Sequence, residues 1–161
     1  MSNEIGILVY NSKNIDVFYI INKNYRIRFE DAIYIDKNNE TKAYETLHNV
    51  GESIDKCFVV LNYIKILAGK AEQFERECLS KDLGMEGLEG FHSYYFLKPI
   101  DEADHYVIIT LWKDAHFFNT WIESDKFKAA FNEIVECDIV NRRLTYRISF
   151  YDRLFKRNHH V

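Results

Sequence analysis

The chain has 161 residues, of which 47% are hydrophobic, 16% aromatic and 29% charged; it is long enough for one compact domain and too apolar to be disordered. Its formal net charge is −4 and its longest basic stretch is Asn141-Arg142-Arg143, which argues against a nucleic-acid partner because phosphate binding needs a basic surface. No segment approaches the ~20 apolar residues of a membrane-spanning helix, and residues 1–6 lack the features of a signal peptide.

The three cysteines, Cys57, Cys78 and Cys137, are far apart in the sequence and lie among apolar residues. No two of them have the spacing of a metal site, and an odd number leaves at least one without a disulfide partner. This pattern is typical of reduced structural thiols and predicts a cytoplasmic protein with no metal bound by cysteine.

Short apolar segments separated by Asn, Lys and Asp fill residues 1–55. They are rich in Ile, Val, Tyr and Phe, which predicts antiparallel strands at IGILVYN, DVFYIIN, YRIRFE and AIYID. The spacing of Ala43, Leu47 and Val50 predicts a short helix over residues 41–50, ended by Gly51. This strand-rich half is too small to bury both faces of its own sheet.

Residues 56–155 are predicted to contain elements in the order β-α-β-β-α-β. The strands are CFVVLNYIKIL, FHSYYFLK, HYVIITLW and residues 143–151; the helices are residues 71–79 and two short segments that begin after Asp114 and Ser124. This order predicts an α+β, ferredoxin-like unit. Its helices cover one sheet face only, so the N-terminal strands or a second such unit must cover the other.

Two side chains in this unit are unusual for their positions. Asn62 lies in the middle of a predicted strand, on the apolar face that contains Phe58, Val60, Ile64 and Ile66. An unpaired buried amide costs on the order of a few kcal/mol, so Asn62 either bonds a neighbouring backbone group or serves a ligand. Trp121 ends the first short helix, where a Trp more often fills the core than contacts a ligand. None of the six histidines forms a recognisable catalytic triad.

The segments GMEGLEGFHSYY and VIITLWKDAHFFNTWIESDKFKAAF resemble the antibiotic biosynthesis monooxygenase (ABM) superfamily, and within it the Isd-type haem-degrading monooxygenases of bacteria. The resemblance covers residues 58–150. With its N-terminal extension the chain is also similar to the HmoB-type haem monooxygenases and to the TRAP signal-transduction proteins. That similarity implies a pseudo-dimeric α/β barrel made by one chain, and therefore a monomer with pseudo-two-fold symmetry.

The resemblance implies a haem site of three residues. The Asn and Trp of the family match Asn62 and Trp121, which would bind haem and take part in its oxidation. The proximal His of the family, which follows FKAA, matches Phe131, and a phenyl ring has no lone pair for iron. His116 is the nearest replacement by sequence, but its spacing from Trp121 puts it on another face of the helix.

Two functions follow from this resemblance. The first is a haem-degrading monooxygenase with altered iron ligation, in which haem is both cofactor and substrate and an external donor supplies electrons. The second is a non-catalytic regulatory or stress protein of the TRAP type, with Phe131 filling the pocket. Oxidation of another flat aromatic molecule without a metal is a third, less favoured hypothesis.

Overall fold

The computed structural model describes residues 17–21, 23–52, 56–136 and 138–157. Its strands are β1 Val17–Ile21, β2 Tyr25–Phe29, β3 Ile33–Lys37, β4 Glu40–Gly51, β5 Cys57–Ile64, β6 Phe91–Pro99, β7 Tyr106–Trp112 and β8 Tyr146–Arg157. Its helices are α1 Ala71–Ser80, α2 Ala115–Ile122 and α3 Asp125–Glu136. No helix in these residues is long and apolar enough to cross a membrane. The predicted strand IGILVYN and Cys137 lie outside the described residues.

The eight strands form one closed antiparallel barrel. They pair in the order β1-β2-β3-β4-β6-β7-β5-β8, and β8 pairs with β1 to close the sheet. The strands β8, β5, β7 and β6 belong to the predicted βαββαβ unit, while β1 to β4 form a meander that joins both of its edges. The predicted α+β barrel, with N-terminal strands that cover the open face of a ferredoxin-like sheet, is therefore confirmed.

Alternate residues of β5 face two different hydrophobic clusters, as the pleat of a strand requires. One set points into the barrel interior, where it meets side chains from both parts of the chain: Val59 and Leu61 with Ile20, Ile27, Ile109 and Leu111. The other set points outward to the three helices: Phe58, Val60 and Ile64 with Phe74, Phe118 and Ile134. Asn62 belongs to the outward set, as predicted, so the helices lie over its side chain.

One predicted element is wrong, because residues 41–50 belong to strand β4 and not to a helix. Tyr44 of this strand pairs with Ile33 of β3 on one side and with Pro99 of β6 on the other. The register with β6 shifts between Thr46 and His48. A shift of this kind adds a residue and interrupts the alternation of faces, which explains why the apolar spacing suggested a helix.

The last strand also begins later than predicted. A 3-10 turn at Arg142–Leu144 precedes β8, and Leu144 is exposed there. Ile148 and Phe150 pack against the barrel interior, as their predicted shared face requires. Arg147 lies between the interior positions in sequence and therefore belongs to the outward face, on the side of the helices.

Candidate functional site

An apolar cavity of about 40 Å³ lies between the outer face of the sheet and the helices. Strands β5, β7 and β8 form its floor, and α1, α2 and α3 form its roof. Eleven of its fifteen lining side chains are aliphatic or aromatic. The volume is sufficient for a few water molecules, whereas pockets for drug-sized ligands measure roughly 300–1,000 Å³.

Asn62, Trp121 and Phe131 all line this one cavity. Asn62 lies half-buried in the floor, between Ile108 of β7 and Arg147 of β8 in the strand register. No hydrogen bond joins its side-chain amide to another residue in the described part of the chain. The amide is therefore free to bond a ligand in the floor of the cavity.

Trp121 is a rigid part of the roof. Its indole is 5% exposed, and Nε1 donates a hydrogen bond of 2.7 Å to the carbonyl oxygen of Leu83. The ring centroid lies 5.4 Å from that of Trp112 and 4.4 Å from that of Phe127. These contacts fix the orientation of the indole, which lines the cavity.

Two phenylalanines of α3 fill much of the space beside Trp121. Phe127 packs against Trp121, and its ring centroid lies 5.2 Å from that of Phe131, one turn later. The start of this helix is fixed by Ser124, whose Oγ accepts a hydrogen bond of 3.2 Å from the backbone nitrogen of Phe127. The predicted N-cap at Ser124 is thus confirmed, and it holds Phe127 in place.

The lining offers no suitable ligand for haem iron. Its heteroatom-bearing side chains besides Asn62 and Trp121 are Thr110, Cys78 and Arg147. Burial raises the pKa of the Cys78 thiol to about 12, so that it stays protonated at neutral pH and is a poor metal ligand. His116, the replacement considered from the sequence, is exposed and does not line the cavity. The residues present do not fit an iron-ligated haem.

No metal-binding cluster replaces the missing ligand. Across the described ranges, no three His, Cys, Asp or Glu side chains lie close enough together to hold a metal ion.

Sequence reasoning did not identify Arg147 as a site residue. Its guanidinium carbon lies 5.2 Å from the centre of the Phe118 ring, and both residues line the cavity. The alternation of the last strand placed Arg147 on the face opposite Ile148 and Phe150, which was the available signal in the sequence. This alternation alone could not assign Arg147 to the site, because only the pairing of β8 with β5 brings Arg147 next to Asn62.

These features define a class of protein: a closed α+β barrel with an apolar cavity between a ferredoxin-like sheet and its helices. Residues 57–133 match the family model of the antibiotic biosynthesis monooxygenases. This match covers just under half of the chain, and it confirms the resemblance seen in the motifs.

Relatives of known activity and structure agree with this assignment. Heme oxygenase (staphylobilin-producing) 1 of Staphylococcus aureus (strain Newman) is 29% identical over 102 residues, which cover 58% of this chain and 94% of that protein. The heme-degrading enzyme LmHde of Listeria monocytogenes has a TM-score of 0.60 at 19% identity, covering 89% of this chain and 86% of that one.

A third similar structure is described as a major regulator of staphylococcal pathogenesis. Its TM-score is also 0.60, at 21% identity, with coverage of 86% of this chain and 83% of that chain. At these identities the two structural similarities support the fold alone.

Proposed function

We propose that the protein is a haem-binding, monooxygenase-like protein that takes up haem in the cavity between β5 and helices α2 and α3. The observation that carries this proposal is that Asn62, Trp121 and Phe131, which are far apart in the sequence, line the same cavity. The 29% identity to a haem oxygenase favours haem over other flat aromatic molecules.

The side chains suit a flat ring that is held by shape. Trp121, fixed through Leu83, offers a rigid aromatic face for stacking. Asn62 offers an amide donor and acceptor in the floor below it. Because the lining has no iron ligand, the macrocycle is held by packing and by this amide, without a protein bond to its metal. Oxidation of the ring is therefore slow or absent.

A ring of this size enters only after the roof has opened. The present volume of about 40 Å³ is too small, and the rings of Phe127 and Phe131 occupy the space beside Trp121. A rotation of these two side chains, or a shift of α3 away from the sheet, creates the room. The free energy of opening lowers the apparent affinity, because only the open state binds.

The rings of Phe127 and Phe131, which occupy the space beside Trp121, also favour a second function. If the cavity stays closed, the protein is a non-catalytic ABM-fold regulator, similar in kind to the TRAP proteins. Phe131 then completes a core, and Asn62 and Trp121 have no ligand.

Titration of the purified protein with haemin separates the two functions. We expect a shift of the Soret band at micromolar haemin, and slow or no bleaching when ascorbate, standing in for the external electron donor, and O₂ are added. A shift followed by bleaching excludes the regulatory function. No shift at micromolar haemin excludes the haem proposal.

The substitution Phe131→His tests where the haem lies. An imidazole at this position restores an iron ligand, so we expect haemin to bind about tenfold more tightly and the Soret maximum to move. Asn132→His is the matched control, because residue 132 is exposed and lies about 100° further around the helix. If both variants behave like the wild type, residue 131 does not face the ligand.

A further inference from the structure

One cation lies at the edge of the apolar cavity. Among the fifteen described residues that line the cavity, Arg147 alone carries a formal charge. It stands directly opposite Asn62 in the pairing of β8 with β5, and its guanidinium lies over the ring of Phe118. The positive charge and the free amide are therefore neighbours on the same wall.

Among the described residues, no carboxylate pairs with this guanidinium. Arg26 and Arg28 of β2, which lies two strands from β8 around the barrel, both pair with Asp36, at 2.8 and 3.1 Å. By contrast, no ion pair or hydrogen bond in the described part of the chain reaches the Arg147 side chain. Partial burial lowers its pKa, and no carboxylate in the described ranges offsets that effect. A partly desolvated cation of this kind favours an anion beside it.

We infer that Arg147 binds an acidic group of the ligand at the mouth of the cavity, so that the ligand is a flat aromatic acid and not a neutral aromatic molecule. The inference rests on the proposed function, because it specifies the chemistry of the ligand in that same cavity. A guanidinium binds a carboxylate or sulfonate through charge-assisted N–H bonds. Asn62 and Trp121 contact the apolar ring while Arg147 holds the acidic end.

Two dyes that differ by one charge test this inference on the full chain. 1-Anilinonaphthalene-8-sulfonate and N-phenyl-1-naphthylamine share a ring system, and only the first carries a sulfonate. We expect the wild type to bind the sulfonate about tenfold more tightly in fluorescence titrations, which is the size of one charge-assisted hydrogen bond. The preference should weaken at high salt, because the charge is partly exposed to solvent.

The substitution Arg147→Gln should remove this preference by weakening the sulfonate alone. Arg143→Gln is the matched control, since Arg143 is an exposed arginine of the preceding 3-10 turn and does not line the cavity. It should retain the preference of the wild type. Far-UV circular dichroism and thermal melts verify that all three proteins are folded alike.

Haemin titration of the same three proteins distinguishes a failure of this inference from a failure of the haem proposal. If Arg147→Gln loses the sulfonate preference but no protein binds haemin, haem is the wrong ligand and the role of Arg147 stands. If wild type and Arg147→Gln bind haemin and both dyes equally well, the role of Arg147 is overturned and haem binding stands. If the wild type binds neither the dyes nor haemin, both are overturned.

Discussion

Trp112 and Trp121 are neighbours in the helix-side cluster, yet only one indole N–H is hydrogen-bonded. Trp121 Nε1 donates to the carbonyl of Leu83 at 2.7 Å. Trp112 Nε1 is buried without a partner among the described residues. The hydrogen bond of Trp121 stabilises the folded state, whereas the unpaired N–H of Trp112 costs stability. The two tryptophans therefore have different structural roles. Trp112 fills the core, whereas Trp121 ties α2 to the loop after α1.

Replacing each tryptophan with phenylalanine measures this difference. We expect Trp121→Phe to lower the free energy of unfolding by about 1 kcal/mol more than Trp112→Phe, because it leaves the Leu83 carbonyl without its donor. Both changes remove the same atoms from the same cluster, so the cavity cost is similar. Urea unfolding followed by circular dichroism gives both values. Equal losses would mean that the bond to Leu83 adds no net stability.

At the residue scale, the sequence was informative where one residue type departed from its local pattern. Asn62 was recognisable as an amide on an apolar face, and Trp121 and Phe131 as positions in the FKAA motif region. Their meeting in one cavity supports the choice of these three. The filling of the space by Phe127 and the approach of Arg147 were not predictable, because both depend on the packing of elements distant in the chain.

Three neighbouring strands are joined on the outer face of the barrel by one carboxylate. Asp36 of β3 accepts hydrogen bonds from Arg26 and Arg28 of β2 and from the hydroxyl of Thr41 of β4. Burial by itself raises the pKa of Asp36, but the hydrogen bonds from Thr41, Arg28 and Arg26 outweigh it and leave the pKa below 3.8. The ionised carboxylate thus stabilises the folded state.

The stability contributed by Asp36 should depend on pH. A carboxyl whose pKa is lowered by folding stabilises the protein above its unfolded value, and this contribution is lost as the pH falls through the folded value. We therefore expect Asp36→Asn to reduce the free energy of unfolding by about 1 kcal/mol at neutral pH and progressively less below about pH 4. Urea unfolding across this range checks it. A constant difference down to about pH 3 would contradict the assignment.

The end of β4 approaches β6 too closely for a side chain. Gly51 has φ +89°, and a Cβ placed there would lie 2.1 Å from the carbonyl oxygen of His92. The same carbonyl accepts a hydrogen bond of 2.9 Å from the backbone nitrogen of Glu52. A residue with a side chain at position 51 must therefore push the two strands apart.

A pair of glycine substitutions measures how much the close contact between β4 and β6 adds to the cost of a side chain at position 51. Gly69 also has a positive φ, +79°, but no atom lies within 4 Å of an added Cβ. We expect Gly69→Ala to cost about 1 kcal/mol, from backbone strain alone, and Gly51→Ala to cost several times more. Thermal or urea unfolding compares them. Similar costs would mean that β4 and β6 separate easily at this end.

The helices that the sequence predicted correctly are marked by residues at their own ends, whereas strand β4, which was predicted as a helix, has no such local signal. Asp114 and Ser124 mark helix starts by their own side chains, and both caps are present. The identity of β4 as a strand depends on β3 and on β6, and β6 begins forty residues after β4 ends. Pairing on both edges outweighs the weak helical preference of its sequence. Strand order and barrel closure depend on the same kind of distant contact.

The two predicted parts of the chain, residues 1–55 and 56–155, share one barrel interior. Ile20 and Ile27 from the first part belong to the same buried cluster as Leu61 and Ile109 from the second. The first part also closes both edges of the second, since β1 pairs with β8 and β4 pairs with β6. Neither part therefore buries its own sheet alone.

A fragment that begins at residue 56 should reveal this dependence. It would expose the barrel-facing side chains and the unpaired edges of β6 and β8. An exposed apolar sheet face with unpaired edges favours association with another copy. We expect the fragment to form dimers or larger assemblies in size-exclusion chromatography with light scattering, while the full chain elutes as a monomer. A stably folded monomeric fragment would show that β1 to β4 are dispensable.

All three helices follow β5, and in the described residues β1 to β4 have no helix over their outer face. A symmetric pair of βαββαβ units would place two equivalent pockets on one barrel. In the described part of the chain, the meander β1 to β4 without helices stands in place of the second unit, and the helix-roofed pocket lies on one flank of the barrel. If haem binds in this pocket, we expect one equivalent per molecule and no cooperativity between sites within a single copy.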